Sequence, residues 1–313
     1  MLFKPADTKN VRSVLLIMLL VIMFLAAGTG CRWNTNQSSA KESEETGNSG
    51  ITRIISTAPS ITEIIAGLGL ANSLVAVDKY SRDVEGVQND LPEIDFFYPD
   101  IEAITGLKPD IIIVSEVNTG GSTDSPYQFF GRLGIKVVEI PTSSSIEEIY
   151  RDILTIAKTL NVTEKGEELV SGMKAAIEKT AARVRETNGS AAGKKTVYFE
   201  ITPAPNMVSF GRGTYLNELI EITGMHNIFA AEERWFTPGA EAIISANPDL
   251  IFILDGISDN TEIKSRPGFQ HITAVKHNKI YVIDANHASR PSQNIVKALE
   301  SMYEKSLQAG ETY

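Results

Sequence analysis

From Ile51 onward, short runs of branched aliphatic residues alternate with segments whose apolar positions recur every three or four residues. Arg53-Ile54-Ile55-Ser56, Leu74-Val75-Ala76-Val77, Ile111-Ile112-Ile113-Val114 and Lys136-Val137-Val138-Glu139-Ile140 read as strands. Continuous Ile/Val runs of this kind suit parallel strands covered on both faces. Between them Pro59 opens a helix that runs to Gly67-Leu68-Gly69, and residues 101–107 and 129–133 supply two more. Strand and helix in alternation predict an α/β architecture.

The pattern changes at Ser145. Up to about Asn188 only helical spacing is present: Ile146, Ile149, Ile153, Ile156, Ala157 and Leu160, then Leu169, Val170, Met173, Ile177 and Val184 after Asn161-Val162-Thr163. The second run, of about 23 residues, spans roughly 34 Å as a helix and reads as a stiff connector. After Asn188-Gly189-Ser190 the alternation resumes, with strands at 196–201, 250–254 and 279–283 and helices at 215–223 and 292–307. The expected organisation is therefore an N-terminal lobe (51–145), a helical connector (146–190) and a C-terminal lobe (191–313).

One segment occurs twice. Phe96-Phe97-Tyr98-Pro99-Asp100-Ile101-Glu102-Ala103-Ile104 returns as Trp235-Phe236-Thr237-Pro238-Gly239-Ala240-Glu241-Ala242-Ile243. Both copies lead at the same spacing into a Pro-Asp pair, Pro109-Asp110 and Pro248-Asp249, and then a strand. Glu241 less Glu102 and Pro248 less Pro109 both give 139 residues, an offset that argues for two similar lobes rather than a solenoid of small units. Each lobe then presents an aromatic six residues before a glutamate at the start of a helix, as a symmetric docking surface would. A glutamate in a first helical turn is also favoured by the helix dipole alone, by about 0.3–1 kcal/mol.

Residues 1–30 read as an export signal: Lys4, Lys9 and Arg12, an apolar run from Val14 to Ala27, then Gly28-Thr29-Gly30. Cys31, the only cysteine, follows at the position of a lipidated residue in a bacterial lipobox, with Gly28 standing where that box usually has Leu. A single cysteine excludes disulfides within the chain. Residues 31–50 are rich in Ser, Asn, Thr, Glu and Gly and read as a flexible tether. Lipid on Cys31, tether and body make a chain held at the outer side of a membrane. Residues 1–30 carry three basic groups and one acidic group; without them, 26 basic groups face 38 acidic ones, a net charge of −12 that argues against nucleic-acid partners.

Arg53–Glu63, Ile101-Glu102-Ala103-Ile104 with Leu107-Lys108-Pro109-Asp110, Gly224-Met225-His226-Asn227-Ile228-Phe229, and Glu241 with Asn247-Pro248-Asp249 together resemble the class III substrate-binding proteins of ABC importers for vitamin B12, ferric siderophores and haem. The resemblance covers nearly the whole body. It implies two Rossmann-like lobes with parallel sheets, a rigid interlobe helix, a ligand cleft that closes only modestly, and a monomer. It also implies that Glu102 and Glu241 pair with arginines of a membrane permease, where each carboxylate would accept a bidentate, charge-assisted pair.

By the same resemblance Phe96 and Trp235 fall at the cleft rim and Tyr80 matches a further aromatic, suited to a flat macrocycle or catecholate ligand. All three also read as ordinary core or rim aromatics. Arg212 and Arg290, on loops of the second lobe, are candidates for ligand carboxylates or haem propionates, or are plain solvated charges. His226, His271, His277 and His287 form no His-x-x-x-His or His-Glu-x-x-His pattern, so neither a protein metal site nor a cofactor is expected. His287 is the candidate axial ligand to iron or cobalt in a bound chelate, and His226 reads as structural. No Walker-A loop or Gly-x-Ser-x-Gly elbow is present, and Gly120-Gly121-Ser122 is a poor phosphate cradle. The expected function is delivery of a ferric siderophore or corrinoid, with haem behind them. An anchored tetrapyrrole-metal enzyme using His287 and Asp284, or a ligand-sensing receptor with no use for Glu102 and Glu241, are the alternatives.

Overall fold

The computed structural model describes residues 51–119, 125–187 and 194–309. The expected export signal, Cys31, the tether and Gly120-Gly121-Ser122 lie outside the described residues.

The Ile/Val runs form two parallel sheets. In the first, β1 (Ile54–Ser56), β2 (Leu74–Asp78), β3 (Glu93–Ile94), β4 (Ile111–Ser115) and β5 (Lys136–Ile140) lie in the order β3-β2-β1-β4-β5. The chain continues with β6 (Thr196–Glu200), β7 (Ser209–Phe210), β8 (His226–Asn227), β9 (Trp235–Phe236), β10 (Leu250–Leu254) and β11 (Ile280–Ile283). Of these, β11-β10-β6-β8 make the second sheet, while β7 and β9 pair as a small antiparallel ribbon. The two sheets with their flanking helices form the two lobes of an α/β fold.

Strand alternation decides how the lobes are joined. Ile111 and Ile113 of β4 face one core while Ile112 and Val114 face another; likewise Leu250, Phe252 and Leu254 of β10 turn away from Ile251 and Ile253. The faces carrying Ile111 and Leu250 belong to a single continuous apolar cluster, and only the opposite faces have separate cores. Burial common to both lobes resists their separation.

The connector is built as its periodicity predicts, from helices Ile146–Thr159 and Thr163–Thr187. The longer one, 25 residues, is about 38 Å long. It packs on the shorter helix on one side and on helices Tyr215–Ile222 and Ile295–Gln308 of the second lobe on the other. Gly166 permits the first contact, since a Cβ there would stand 2.4 Å from that of Ala157. Ser145 Oγ caps the shorter helix by accepting from Glu148 N at 3.2 Å, and Glu148 Oε2 in turn accepts from Ser144 Oγ and Ser144 N, both at 2.7 Å. Those bonds from Ser144 hold the Glu148 carboxyl below its ordinary range. Glu218 of the second lobe accepts from Ile146 N at 2.8 Å, tying the connector to that lobe.

The closing helix differs from expectation at its start. It begins at Ile295, preceded by a short helix Ala285–Ser289. Ser292 and Asn294 stay outside because their side chains bond Glu63 of the first lobe instead of extending the helix.

Candidate functional site

In each sheet the chain leaves a central strand in two directions: β1 lies between β2 and β4, and β6 between β8 and β10. The carboxyl ends of strands at such a switch point form a crevice where α/β folds bind ligands. In the first lobe this places Thr57 beside Asn118, whose Oδ1 accepts from Thr57 Oγ1 at 2.7 Å. In the second it places the end of β6, Glu200, among polar groups. Glu200 is fully buried and takes a two-pronged pair from Arg266 (2.5 and 2.9 Å), with Tyr198 Oη and Ser258 Oγ each donating at 3.1 Å. Arg266 also pairs with Glu262 and lies over the Phe269 ring, so Glu200 is satisfied and structural.

The duplicated segments prove alike in backbone as well as in sequence. Asp110 Oδ2 accepts from Thr52 N (2.9 Å) and Arg53 N (3.0 Å), and Asp249 Oδ2 from Thr196 N (2.8 Å) and Thr196 Oγ1 (2.9 Å). Each Pro-Asp pair thus clamps the entry of the first strand of its own sheet. The Thr52 N–H is the main reason that the Asp110 carboxyl titrates below its ordinary value. Lys108 and Asn247, again 139 apart, both adopt the left-handed conformation, with φ of 48° and 45°. Helices Ile101–Gly106 and Ala240–Ala246 carry Glu102 and Glu241 exposed in their first turns, neither carboxylate having a hydrogen-bond or ion-pair partner among the described residues.

The other candidate residues fall into two groups. Tyr80, Phe96, Arg290 and the helix bearing His287 come together beside β2 and β3. The Tyr80 and Phe96 rings lie 6.2 Å apart and Phe96 touches Phe97 at 4.5 Å. Phe96 is 5% exposed and so sits inside rather than on a rim, and Tyr127 Oη donates to its carbonyl at 2.8 Å. Burial raises the Tyr127 hydroxyl well above its ordinary value. The open faces of this segment belong to Phe97 (37%) and Tyr98 (83%). Lys79 Nζ lies 4.9 Å from the Tyr80 ring centre. Asp78, fully buried, accepts from Ser81 Oγ and from Tyr80 N at 2.8 Å; burial raises its carboxyl pKa despite these bonds. His287 Nδ1 stands 3.4 Å from Asp284 Oδ1, and its neighbour Asn286 donates to Asp83 at 2.7 Å.

Trp235 and Arg212 make the second group, on and beside the β7–β9 ribbon. Trp235 is half-buried, edge-on to Phe210 at 5.6 Å. Arg212 is exposed, paired with Glu233 at 2.8 Å and donating to Ala231 O at 2.8 Å. Arg290 is not a free loop cation: its side chain is 11% exposed and its guanidinium is bound to Glu63, Asp83 and the Tyr80 carbonyl. His226 is exposed on β8, and the fixed residue of that turn is Asn227, which donates to Phe210 O and Asn217 Oδ1 and accepts from Phe229 N. Glu63 and Asp83 escaped the sequence reading because their partner lies more than 200 residues away. Among the described residues no cluster of three or more His, Cys, Asp or Glu could hold a metal ion, and no helix is long and apolar enough to cross a membrane.

Two lobes with switch-point crevices and a shared connector are the frame of a solute-binding protein, and a family model described as periplasmic binding protein matches residues 54–287. The chain belongs to the periplasmic binding protein family. A curated relative, the ABC transporter substrate-binding lipoprotein YvrC of Bacillus subtilis, is 27% identical over 303 residues, covering 91% of this chain and 94% of its own. A vitamin B12-binding protein of Vibrio cholerae is 24% identical over 259 residues, 80% of this chain and 87% of its own. Among solved structures, a possible iron-binding (periplasmic solute-binding) protein of Staphylococcus epidermidis superposes with a TM-score of 0.72 at 27% identity, over 82% of this chain and 99% of its own.

Proposed function

We propose that this periplasmic binding protein is the extracytoplasmic solute receptor of an ABC importer, anchored through lipid on Cys31, which captures a metal chelate between its lobes and hands it to a permease. The ligand class is a ferric siderophore or a corrinoid, in keeping with the iron-binding and vitamin B12-binding relatives. Tyr80 and Trp235 supply aromatic area for it, with the buried Phe96 packed behind Tyr80, and His287 and Arg212 the polar contacts. Glu102 and Glu241 dock the two lobes on the permease. The observation that carries this reading is the repeated segment: two exposed glutamates, unpaired among the described residues, in matched first turns of helices that each lead into the same Pro-Asp strand clamp. A helix-dipole preference would explain either glutamate, but not their duplication with the scaffold beneath.

Uptake of radiolabelled cyanocobalamin and iron-loaded siderophores into cells carrying only Glu102→Ala, Glu241→Ala or both tests it, with binding measured separately on the same variants. Uptake falls in each single variant and is lost in the double one while binding is unchanged. Full uptake in the double variant would remove the docking role of Glu102 and Glu241.

A further inference from the structure

We propose that Arg290 is an interlobe clasp and the positioning residue for Tyr80, so that the second lobe fixes the aromatic wall of the first before any ligand arrives. The proposal rests on the solute-binding reading only in taking Tyr80 as a ligand contact.

Arg290 Nη1 donates to Glu63 Oε1 at 3.1 Å; Nη2 donates to the Tyr80 carbonyl at 3.0 Å and to Asp83 Oδ1 at 2.9 Å. Glu63 lies in helix Pro59–Gly67, and Tyr80 and Asp83 in the turn after β2, all in the first lobe, whereas Arg290 follows β11 of the second. A planar guanidinium presents its donors at fixed angles, so these contacts set the helix and the turn relative to one point on the other lobe. The rest of the strap repeats the attachment. Ser292 Oγ donates to Glu63 Oε2, Asn294 Nδ2 to the same oxygen at 2.9 Å, Gln293 Nε2 to the Glu63 carbonyl at 2.8 Å, and Asn286 Nδ2 to Asp83 at 2.7 Å.

Tyr80 is held at both of its peptide groups. Its N–H donates to Asp78 Oδ1 at 2.8 Å within its own lobe, and its carbonyl accepts from Arg290 across the lobes. Asp78 is itself braced by Ser81, whose Oγ lies 2.8 Å from Thr62 Oγ1, which donates on to Ser56 Oγ at 2.8 Å at the end of β1. One side of the turn therefore rests on the first sheet and the other on the second lobe. A buried ion pair adds little net stability compared with an apolar substitute, but removing one partner strands the other. What the Glu63–Arg290 pair contributes is orientation: a ring already in place loses less freedom when a ligand stacks on it.

The test has two arms on the full chain. Hydrogen–deuterium exchange of peptides covering residues 78–84 compares wild type with Arg290→Ala, Arg290→Lys and Glu63→Gln. Exchange in this turn rises about tenfold in Arg290→Ala, less in Arg290→Lys, while the β4 peptide stays protected. An unchanged turn, or equal loss of protection in the turn and β4, overturns the clasp. In the second arm cyanocobalamin is titrated against Arg290→Ala, Tyr80→Ala and the double variant. Both single variants weaken binding and the double is no weaker than Tyr80→Ala; losses that add overturn the positioning role. Absence of cyanocobalamin binding by wild type counts against the corrinoid ligand, and the exchange arm then decides Arg290 alone.

Discussion

The two copies of the repeated segment share their backbone and differ in their surroundings. Both bury the proline (Pro109, Pro248), clamp the first strand with the following aspartate, end the helix at a left-handed residue and expose a glutamate in the first turn. They part where no such geometry is required. Asp100 caps the first-lobe helix by accepting from Ala103 N at 3.0 Å, whereas Gly239 offers no side chain. Phe97, Tyr98 and Ile101 stand open in the first lobe, while Phe236 packs edge-on against Phe229 at 5.1 Å and Trp235 against Phe210. The left-handed position is Lys108 in one lobe and Asn247 in the other, where Asn247 Oδ1 also accepts from Thr273 N at 2.8 Å. What is duplicated is the frame that aims the glutamates; what varies is what lies beside it.

The largest expected effect concerns the buried ion pair within the second lobe. Arg266→Ala leaves Glu200 buried without its charge partner and is expected to cost about 3–5 kcal/mol, read as an earlier urea midpoint by Trp235 fluorescence. A loss under about 1 kcal/mol would mean that water enters to solvate Glu200. Next come the strand clamps. Asp249→Ala should cost about 1.5–3 kcal/mol and Asp110→Ala less, because Asp249 is half-buried and Asp110 exposed. Equal losses would show that strand entry, and not burial, sets the value of the clamp.

The left-handed pair separates the lobes more finely. Lys108→Asn is expected to stabilise by about 0.5–1 kcal/mol in thermal unfolding, since asparagine tolerates this conformation. Asn247→Lys should destabilise by about 1 kcal/mol or more through strain and the lost bond from Thr273 N. The smallest effect is one of pH. The folded Asp110 carboxyl titrates below its ordinary 3.8, so its contribution is full above that value and is lost as pH falls through the lowered one. Asp110→Asn should therefore flatten the acid limb of stability below about pH 4 without changing its slope at neutral pH.

Most of the fold could be read in the sequence because its signals are local. The Ile/Val runs of β1, β4 and β10 are buried on both faces, and the apolar spacing of 146–187 is the connector pair. The two-residue strands β3, β7, β8 and β9 escaped, since two residues carry no period. The candidate site was less legible. The constant offset marked Glu102 and Glu241, and it equally relates Lys108 to Asn247, but nothing in a run of letters says that Asp110 reaches Thr52 or that Arg290 reaches Glu63 across 227 residues. Arg290 looks like a solvated loop charge until its three partners are seen. Phe96 looks like a rim aromatic until its burial is seen.

In the proposed function the lobes enclose a metal chelate beside Trp235. This enclosure is tested most directly by titrating the fluorescence of the full chain carrying Trp33→Phe, which leaves Trp235 as its sole tryptophan, against cyanocobalamin, hemin and a panel of ferric siderophores. Saturable quenching by cyanocobalamin or one ferric siderophore, weakened by Tyr80→Ala, is the predicted result. A folded protein whose Trp235 responds to none of them, and which retains none of them in equilibrium dialysis, would contradict it.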